Sequence, residues 1–319
     1  MSTIVVTGAS GFVGSHVVPH LIASGHRVVA PVRNEAAADL VRGRLAESRR
    51  AALECRPGDV DRPETLPAAL AGADAVVHLA ALPRDWNGGR DLARVNTEGT
   101  RHVLDAARAA GVRRFVHLGA LGVADDPTLH YASSKARAER LVAESGLDWT
   151  ILKPSLLWGP GDGFFNILAD LVRISPGVMP ITGSGASRFQ PLSVDDLARV
   201  VGLCLERPET IGGTYELGGP RVWTYREIAA EVLAGMGRRR ILVPMPVAVI
   251  RLVAGTAEAI HLPFPVATDQ LRQLRLDNVG PIDGVEGGFG FAPTPMEGRL
   301  GYLRLPRARQ LAPDGRAGT

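Results

Sequence analysis

The first fifteen residues constrain the fold of this chain more than any other stretch. The apolar run from Ile4 to Val6 predicts a β-strand, and it is followed by Gly8, Gly11 and Gly14 ahead of an apolar stretch with helical spacing. Gly8 permits a tight turn, Gly11 permits close approach of a pyrophosphate, and Gly14 permits a helix to pack closely on the sheet. The free N–H groups and positive dipole end of that helix attract phosphate. The stretch therefore predicts a dinucleotide-binding site.

Strands and helices alternate over the first half of the chain. Apolar runs predict strands over 27–32, 51–56, 75–80, 114–118 and 147–152. This alternation indicates an α/β fold with a doubly wound parallel sheet of the Rossmann type, right-handed at each crossover. Beyond residue 155 the pattern is mixed, which indicates a smaller C-terminal lobe for a substrate or partner. The expected domains are 1–155 for dinucleotide binding with 192–219 returning to it, 156–305 for the smaller lobe, and 306–319 as a loose tail.

The composition limits the classes of protein. The 319 residues are 22% charged and 45% hydrophobic, as in soluble globular enzymes, and a net charge of +3 gives no case for a nucleic-acid partner. Two cysteines predict no disulfide framework, and no secretory signal is evident, so we expect a cytoplasmic location. No apolar stretch is long enough to span a bilayer. The apolar segment 243–260 is expected to form a core or docking helix, with bilayer-surface contact left open, and the run Arg238 to Arg240 a solvated turn.

The end of the second predicted strand indicates which dinucleotide is bound. An NAD-selective site carries an acidic residue here, which accepts hydrogen bonds from the ribose hydroxyls. This chain has Val32, Arg33 and Asn34 instead, so no carboxylate repels a 2′-phosphate and Arg33 can pair with one. The alternative is that Arg33 is a solvated loop residue. We expect NADP(H) in preference to NAD(H), with Asp59 and Val60, after the third strand, bordering the adenine.

Tyr131 and Lys135 are the candidate catalytic residues. Their spacing of four places them on one face of a helix, and a nearby ammonium lowers the pKa of a phenol and makes it a usable acid or base. The same lysine can hold the nicotinamide ribose hydroxyls. Only two of the 36 basic residues are lysines, so chance placement of one beside a tyrosine is disfavoured, although a surface helix pair is the alternative. His16 and His20 are also four apart, but they lack a third ligand, so we expect no metal.

Together these motifs resemble those of the short-chain dehydrogenase/reductase superfamily, and the layout resembles its extended and atypical members. The motifs of the first half are the glycine triplet, the run His78-Leu79-Ala80-Ala81, Asn96, and Tyr131 with Lys135. The stretches 148–155, 188–191, 215–220 and 268–279 resemble the subgroup of the nucleotide-binding accessory subunit of respiratory complex I. The resemblance covers nearly the whole chain.

The resemblance implies roles for individual residues. Tyr131 would donate or accept the proton. The glycine-rich turn would bind pyrophosphate, Arg33 the adenosine ribose or its phosphate, and Lys135 and Pro154 the nicotinamide side. The full set of implied cofactor contacts is Gly8, Ser10, Gly11, Phe12, Gly14, Arg33, Asp59, Val60, Ala80, Ala81, Lys135 and Pro154.

The chain departs from the superfamily's pattern at one place. The catalytic Ser or Thr of the superfamily follows the fifth strand, where this chain has Gly119 and Ala120. Loss of one oriented donor typically costs about two or three orders of magnitude in rate. Thr128, Ser133 or Ser134 are the hydroxyls that could substitute.

Three functions fit these motifs. The first is an oxidoreductase that transfers hydride between NADP(H) and a small carbonyl or alcohol. The second is a catalytically weak or inactive nucleotide-binding accessory or assembly protein, peripherally associated with a membrane complex. The third is an NAD-dependent sugar-nucleotide epimerase or dehydratase, a class that usually keeps the Ser or Thr. The sequence indicates a small-molecule substrate but neither its identity nor the oligomeric state.

Overall fold

The computed structural model describes residues 1–85, 87–246 and 277–311. The strands are β1 (Thr3–Thr7), β2 (Arg27–Val32), β3 (Leu53–Pro57), β4 (Ala75–His78), β5 (Arg114–Leu118), β6 (Asp148–Pro154), β7 (Leu157–Trp158), β8 (Val178–Thr182), β9 (Arg188–Phe189), β10 (Leu192–Ser193), β11 (Gly213–Leu217), β12 (Trp223–Thr224) and β13 (Ile241–Met245). The helices are α1 (Gly14–Ala23), α2 (Glu35–Gly43), α3 (Leu66–Leu70), α4 (Arg90–Leu92), α5 (Gly99–Ala109), α6 (His130–Ala143), α7 (Phe164–Ile174), α8 (Val194–Glu206), α9 (Tyr225–Gly235) and α10 (Gly284–Phe289).

Seven parallel strands form the central sheet, in the order β3-β2-β1-β4-β5-β6-β11. The chain winds outward from β1 to β3 on one side and then from β4 on the other. The direction of winding therefore reverses between β1 and β4, and ligands of such sheets bind beyond the carboxyl ends of the strands at this point. The predicted doubly wound α/β fold is confirmed.

Helices cover both faces of the sheet, which explains why its inner strands are almost continuously apolar. Ile4 and Val6 face one core cluster, formed with α1, α8 and α10, while Val5 faces another, formed with α3 and α5. All three side chains are fully buried. Because α1 is fixed by this packing, its N-terminus is held at the carboxyl end of β1.

The chain beyond β6 builds a second apolar cluster and also returns to the sheet. α7, α9, β8 and the 3₁₀ turn Leu300–Arg304 enclose that cluster, and α9 begins with a capping box in which Thr224 and Glu227 satisfy each other's backbone N–H groups. β11 pairs with β6 in parallel, so it forms the edge of the central sheet. The second lobe is thereby joined directly to the edge of the sheet.

Several segments differ from the sequence prediction. β4 ends at His78 rather than at residue 80, because its partner β1 ends at Thr7, to whose carbonyl the Leu79 N–H still donates. Residues 241–245 form a strand, so the segment predicted as a helix over 243–260 begins as β13; residues 247–260, and 268–276 of the subgroup motif, lie outside the described residues.

Of the predicted loose tail 306–319, residues 306–311 contact the second lobe, and residues 312–319 lie outside the described residues. The Gln310 amide donates to Asn166 Oδ1 at 2.8 Å and accepts from the Gly161 N–H at 2.8 Å, so this stretch packs on the second lobe. Within the described parts of the chain, no helix combines the length and apolar character needed to cross a membrane.

Candidate functional site

The glycine-rich turn after β1 is a surface of bare backbone. Gly8 has φ +72°, and a Cβ there would lie 2.7 Å from the Ala80 nitrogen. The Gly11 N–H donates to the Gly8 carbonyl at 2.9 Å and closes the turn. A Cβ on Gly14 would lie 2.5 Å from the Gly8 oxygen and 2.6 Å from the Ala9 Cα. Gly8 and Gly14 are therefore required by packing, whereas Gly11 is exposed and leaves the backbone open to a ligand.

Two neighbouring residues of the turn complete its outer surface. Ser10 is half-buried, and the ring of Phe12 stacks edge-on against His16 with a centroid distance of 5.6 Å. The two nitrogens of His16 lie 2.7 Å from Asp195 Oδ1 and 3.0 Å from the Pro160 carbonyl oxygen. His16 thus links α1 to α8 and to the loop after β7.

Arg44 is a residue of the turn that sequence reasoning missed. Its Nη1 donates to the carbonyls of Ser10 at 2.9 Å and Gly11 at 3.2 Å. The contact brings a positive charge to the turn ahead of α1, where pyrophosphate binding is predicted. Nothing in the sequence distinguishes this arginine from the many others, because its role depends on where α2 ends in space.

The predicted adenosine-side residues follow β2 and β3. Arg33 is exposed and its side chain makes no hydrogen bond or ion pair with any residue in 1–85, 87–246 or 277–311. Asn34 accepts from the Ala37 N–H and begins α2. Asp59 accepts from the Asp61 N–H, and the Val60 oxygen lies 2.7 Å from His102 Nδ1. An unpaired guanidinium therefore stands at the carboxyl edge of β2.

The predicted nicotinamide-side residues follow β4 and β6. Ala80 and Ala81 come directly after β4, with Ala81 exposed, and Pro154 ends β6, where its oxygen accepts from the Leu121 N–H at 3.0 Å. Buried Thr7 links the ends of β1 and β4, since its Oγ1 lies 2.7 Å from His78 Nδ1. The parallel sheet thus brings the predicted residues to one edge; their contacts with a cofactor stay a prediction.

Tyr131 and Lys135 lie one turn apart on α6, against the carboxyl end of β5. Lys135 is 4% exposed and its ammonium donates to the Leu118 carbonyl. Burial lowers the pKa of Lys135 to about 8. Burial also raises the pKa of Tyr131 to about 12, with a smaller contribution from the Glu139 carboxylate. Our expectation of a lowered tyrosine pKa is therefore wrong for this structure, because desolvation of the phenolate dominates and the lysine's charge is directed at Leu118.

Glu139 occupies the space beside the position of the missing Ser or Thr. It lies four residues after Lys135 on α6, and its Oε1 accepts from the Ala120 N–H at 3.2 Å. Its Oε2 lies 3.5 Å from Lys153 Nζ, so both lysines of the chain flank this carboxylate. A Cβ on Gly119 would lie only 2.3 Å from Glu139 Oε1. Sequence reasoning missed Glu139, although its spacing of four from Lys135 was a signal.

The three hydroxyls considered as substitutes are engaged elsewhere. Thr128 donates to Asp126, Ser133 donates to Asp125 at 2.5 Å, and Ser134 donates to the Tyr131 carbonyl at 2.8 Å. Ser134 also accepts from the buried Asn96 amide. These bonds hold the loop before α6 and the helix itself in place, so none of the three side chains is directed to the position beside Gly119.

Restoring the missing hydroxyl at position 119 is expected to destabilise the protein when Glu139 is present. Gly119→Ser should lower the free energy of unfolding by about 1–2 kcal/mol, because the Glu139 carboxylate must leave the Ala120 N–H. In a Glu139→Ala background the same substitution should cost about 1 kcal/mol less. A double-mutant cycle measured by chemical denaturation checks this coupling. Strict additivity of the two substitutions would contradict the packing of Glu139 against Gly119.

Comparisons with known proteins show the family to which the chain belongs. A family profile described as NAD(P)H-binding matches residues 8–167. The chain is 27% identical to NADH dehydrogenase (ubiquinone) 1 alpha subcomplex subunit 9, mitochondrial, of Arabidopsis thaliana, over 87% of this chain and 68% of that protein. It is 31% identical to a ceramide reductase of Caulobacter vibrioides, over 76% of this chain and 73% of that protein. A crystal structure of dTDP-glucose 4,6-dehydratase from Streptomyces venezuelae with NAD bound shares the fold, with a TM-score of 0.70, 23% identity, and coverage of 94% and 96% of the two chains.

Proposed function

Because the chain belongs to the NAD(P)H-binding family, among the extended and atypical short-chain dehydrogenase/reductases, we propose that it transfers hydride between NADP(H) and a small carbonyl or alcohol. The observation that carries the proposal is the burial of Lys135 beside Tyr131 at the carboxyl end of β5. β5 pairs with β4, and β4 pairs with β1, the strand that ends at the glycine-rich turn.

In this proposal Tyr131 transfers the proton, and Lys135 binds the cofactor. The bound NADP(H) would supply hydride from its nicotinamide C4 for reduction and accept it for oxidation. Tyr131 donates its proton to the carbonyl oxygen during reduction and removes the alcohol proton during oxidation. A phenol with a pKa of about 12 is protonated at neutral pH, so it is ready as the acid for reduction. Lys135 would hold the ribose hydroxyls, and its ammonium is bonded to the Leu118 carbonyl at the end of β5.

The preference for NADP(H) rests on Arg33. Arg33→Ala is expected to weaken NADP⁺ binding about tenfold to a hundredfold, since charge-assisted hydrogen bonds to the 2′-phosphate are lost. Binding of NAD⁺ should change little, because it lacks this phosphate. Calorimetric titration of both nucleotides measures the difference.

Arg27 provides the matched control for that titration. It is an exposed arginine at the opposite end of the same strand, β2, and Arg27→Ala should leave both affinities unchanged. Equal losses for NAD⁺ and NADP⁺ in Arg33→Ala would contradict recognition of the 2′-phosphate.

A second candidate function is a nucleotide-binding accessory role in a larger assembly. Two observations favour it: Gly119 and Ala120 offer no side-chain donor to a carbonyl, and a relative is a subunit of NADH dehydrogenase. Nucleotide retained through purification, without turnover on a broad panel of aldehydes and ketones, would support this role. Turnover with NADPH would support the oxidoreductase.

A further inference from the structure

The second lobe carries an exposed apolar surface that the cofactor site does not use. β8 and β13 form a two-stranded parallel sheet in which Met179 and Ile181 face the lobe's core. The side chains on the other side of this sheet, and one at the end of α7, are open to solvent. We name these residues the β8–β13 face: Ile174, 73% exposed, Val178, 43%, Ile241, 70%, and Val243, 40%.

A cleft lined by arginines adjoins this face. Its volume is about 470 Å³, and its lining includes Arg173, Arg238, Arg240 and Arg304, which we call the arginine cleft. No acidic side chain of the described chain lines it. Asp170, in the preceding turn of α7, accepts a hydrogen bond from Arg173 and compensates one of these charges. The cleft therefore carries a surplus of positive charge.

Contacts with backbone carbonyls hold these arginines in place. Nε of Arg240 donates to the Ser175 carbonyl at 2.9 Å, and Nε of Arg304 donates to the Gly235 carbonyl at 2.9 Å. Both carbonyls lie at the C-terminal ends of helices, where cations are favoured. Arg240 also donates from Nη1 to the Arg239 carbonyl, and Arg173 donates from its two Nη atoms to Asp170 and to the Leu303 and Leu305 carbonyls. Within the described residues, both Nη atoms of Arg304, Nη2 of Arg240 and the whole guanidinium of Arg238 make no hydrogen bond. Fixed guanidinium groups with free N–H donors are suited to phosphate.

The apolar face and the cleft are continuous with each other. Ile174 directly follows Arg173, Ile241 directly follows Arg240, and the Cα atoms of Ile241 and Val178 are paired across the sheet. Surfaces that lie at a membrane interface typically carry exposed aliphatic side chains bordered by basic residues, as this surface does. We propose that the β8–β13 face and the arginine cleft together bind an anionic phospholipid surface, with the aliphatic side chains entering the headgroup region and the arginines binding lipid phosphates.

Anionic lipid fits this surface better than a nucleic acid or an acidic protein segment. A nucleic acid would use the arginines, but it would gain little from four exposed aliphatic side chains. Each arginine near an anionic bilayer contributes about fivefold in affinity, and the attraction weakens with salt. The surface lies on the second lobe, so this inference is independent of hydride transfer.

Vesicle flotation with the full chain tests the proposal. Phosphatidylcholine vesicles with and without about one-third phosphatidylglycerol are compared at low and high salt. We expect binding to the anionic vesicles that is at least about tenfold tighter than to the neutral ones and that weakens with salt. Arg238→Ser should lower this affinity about fivefold, and Ile241→Asn should lower it further.

Exposed residues of the first domain provide matched controls. Leu40→Asn removes an exposed aliphatic side chain from α2, and Arg49→Ser removes an exposed arginine; both should leave vesicle binding unchanged. Unaltered NADP⁺ affinity shows that each variant is folded. Failure to bind anionic vesicles at low salt would overturn the proposal, as would equal losses in the control variants. The proposal would also be overturned if the protein bound a single-stranded RNA tightly and if Ile241→Asn left that RNA binding unchanged.

Discussion

Gly14→Ala is expected to abolish measurable nucleotide binding and to lower the free energy of unfolding by about 3 kcal/mol. The added Cβ would lie 2.5 Å from the Gly8 oxygen and 2.6 Å from the Ala9 Cα. Both are backbone atoms of the glycine-rich turn, so neither can move without displacing α1 from β1. The displacement would carry the positive end of α1 away from the pyrophosphate. Chemical denaturation and NADPH fluorescence titration measure the two effects.

Gly43→Ala is the matched control for this substitution. Gly43 also lies in a helix, α2, and a Cβ there would meet no atom within 4 Å. Alanine should be neutral or stabilise the helix by up to about 1 kcal/mol, and nucleotide binding should be unchanged. Wild-type affinity in Gly14→Ala would contradict the close packing of α1 on the turn.

Tyr131→Phe is expected to lower kcat for NADPH-dependent carbonyl reduction by about 10²–10⁴-fold. The substitution removes the proton donor but keeps the ring, so the affinity for NADPH should be unchanged. In wild-type protein, oxidation of the alcohol should accelerate as pH rises, because deprotonation of a phenol with a pKa of about 12 is incomplete throughout the working range. Steady-state rates and titrations at several pH values check these outcomes.

The control for the phenol is Tyr215→Phe on β11, a half-buried tyrosine that packs against Phe289. This variant should keep wild-type kcat. Retained turnover in Tyr131→Phe would contradict the catalytic assignment. Absent turnover in the wild-type protein, with tight NADPH binding, would instead favour the accessory role.

Local sequence signals were sufficient to predict the fold. The bounds of β2 and β5 agree with the predicted strands, because each is a short, mainly apolar segment that begins at an arginine and lies between turn residues. The glycine spacing predicted the turn, and the spacing of Tyr131 and Lys135 predicted their shared helix. These features depend on residues close together in sequence.

Other features of the site depend on tertiary contacts that no spacing reveals. Arg44 reaches the turn only because α2 ends beneath it, and Glu139 reaches Ala120 only because α6 packs on the end of β5. The direction of the Tyr131 pKa shift was predicted wrongly for a related reason. Burial of the phenol outweighs a lysine whose ammonium bonds to another group.

The most direct test of the central claim is a crystal structure of the protein with NADP⁺. The account predicts pyrophosphate oxygens about 2.9 Å from backbone N–H groups of the glycine-rich turn at the start of α1, with the 2′-phosphate against Arg33. Bound nucleotide whose pyrophosphate lies away from this turn, or a turn filled by a side chain, would contradict it.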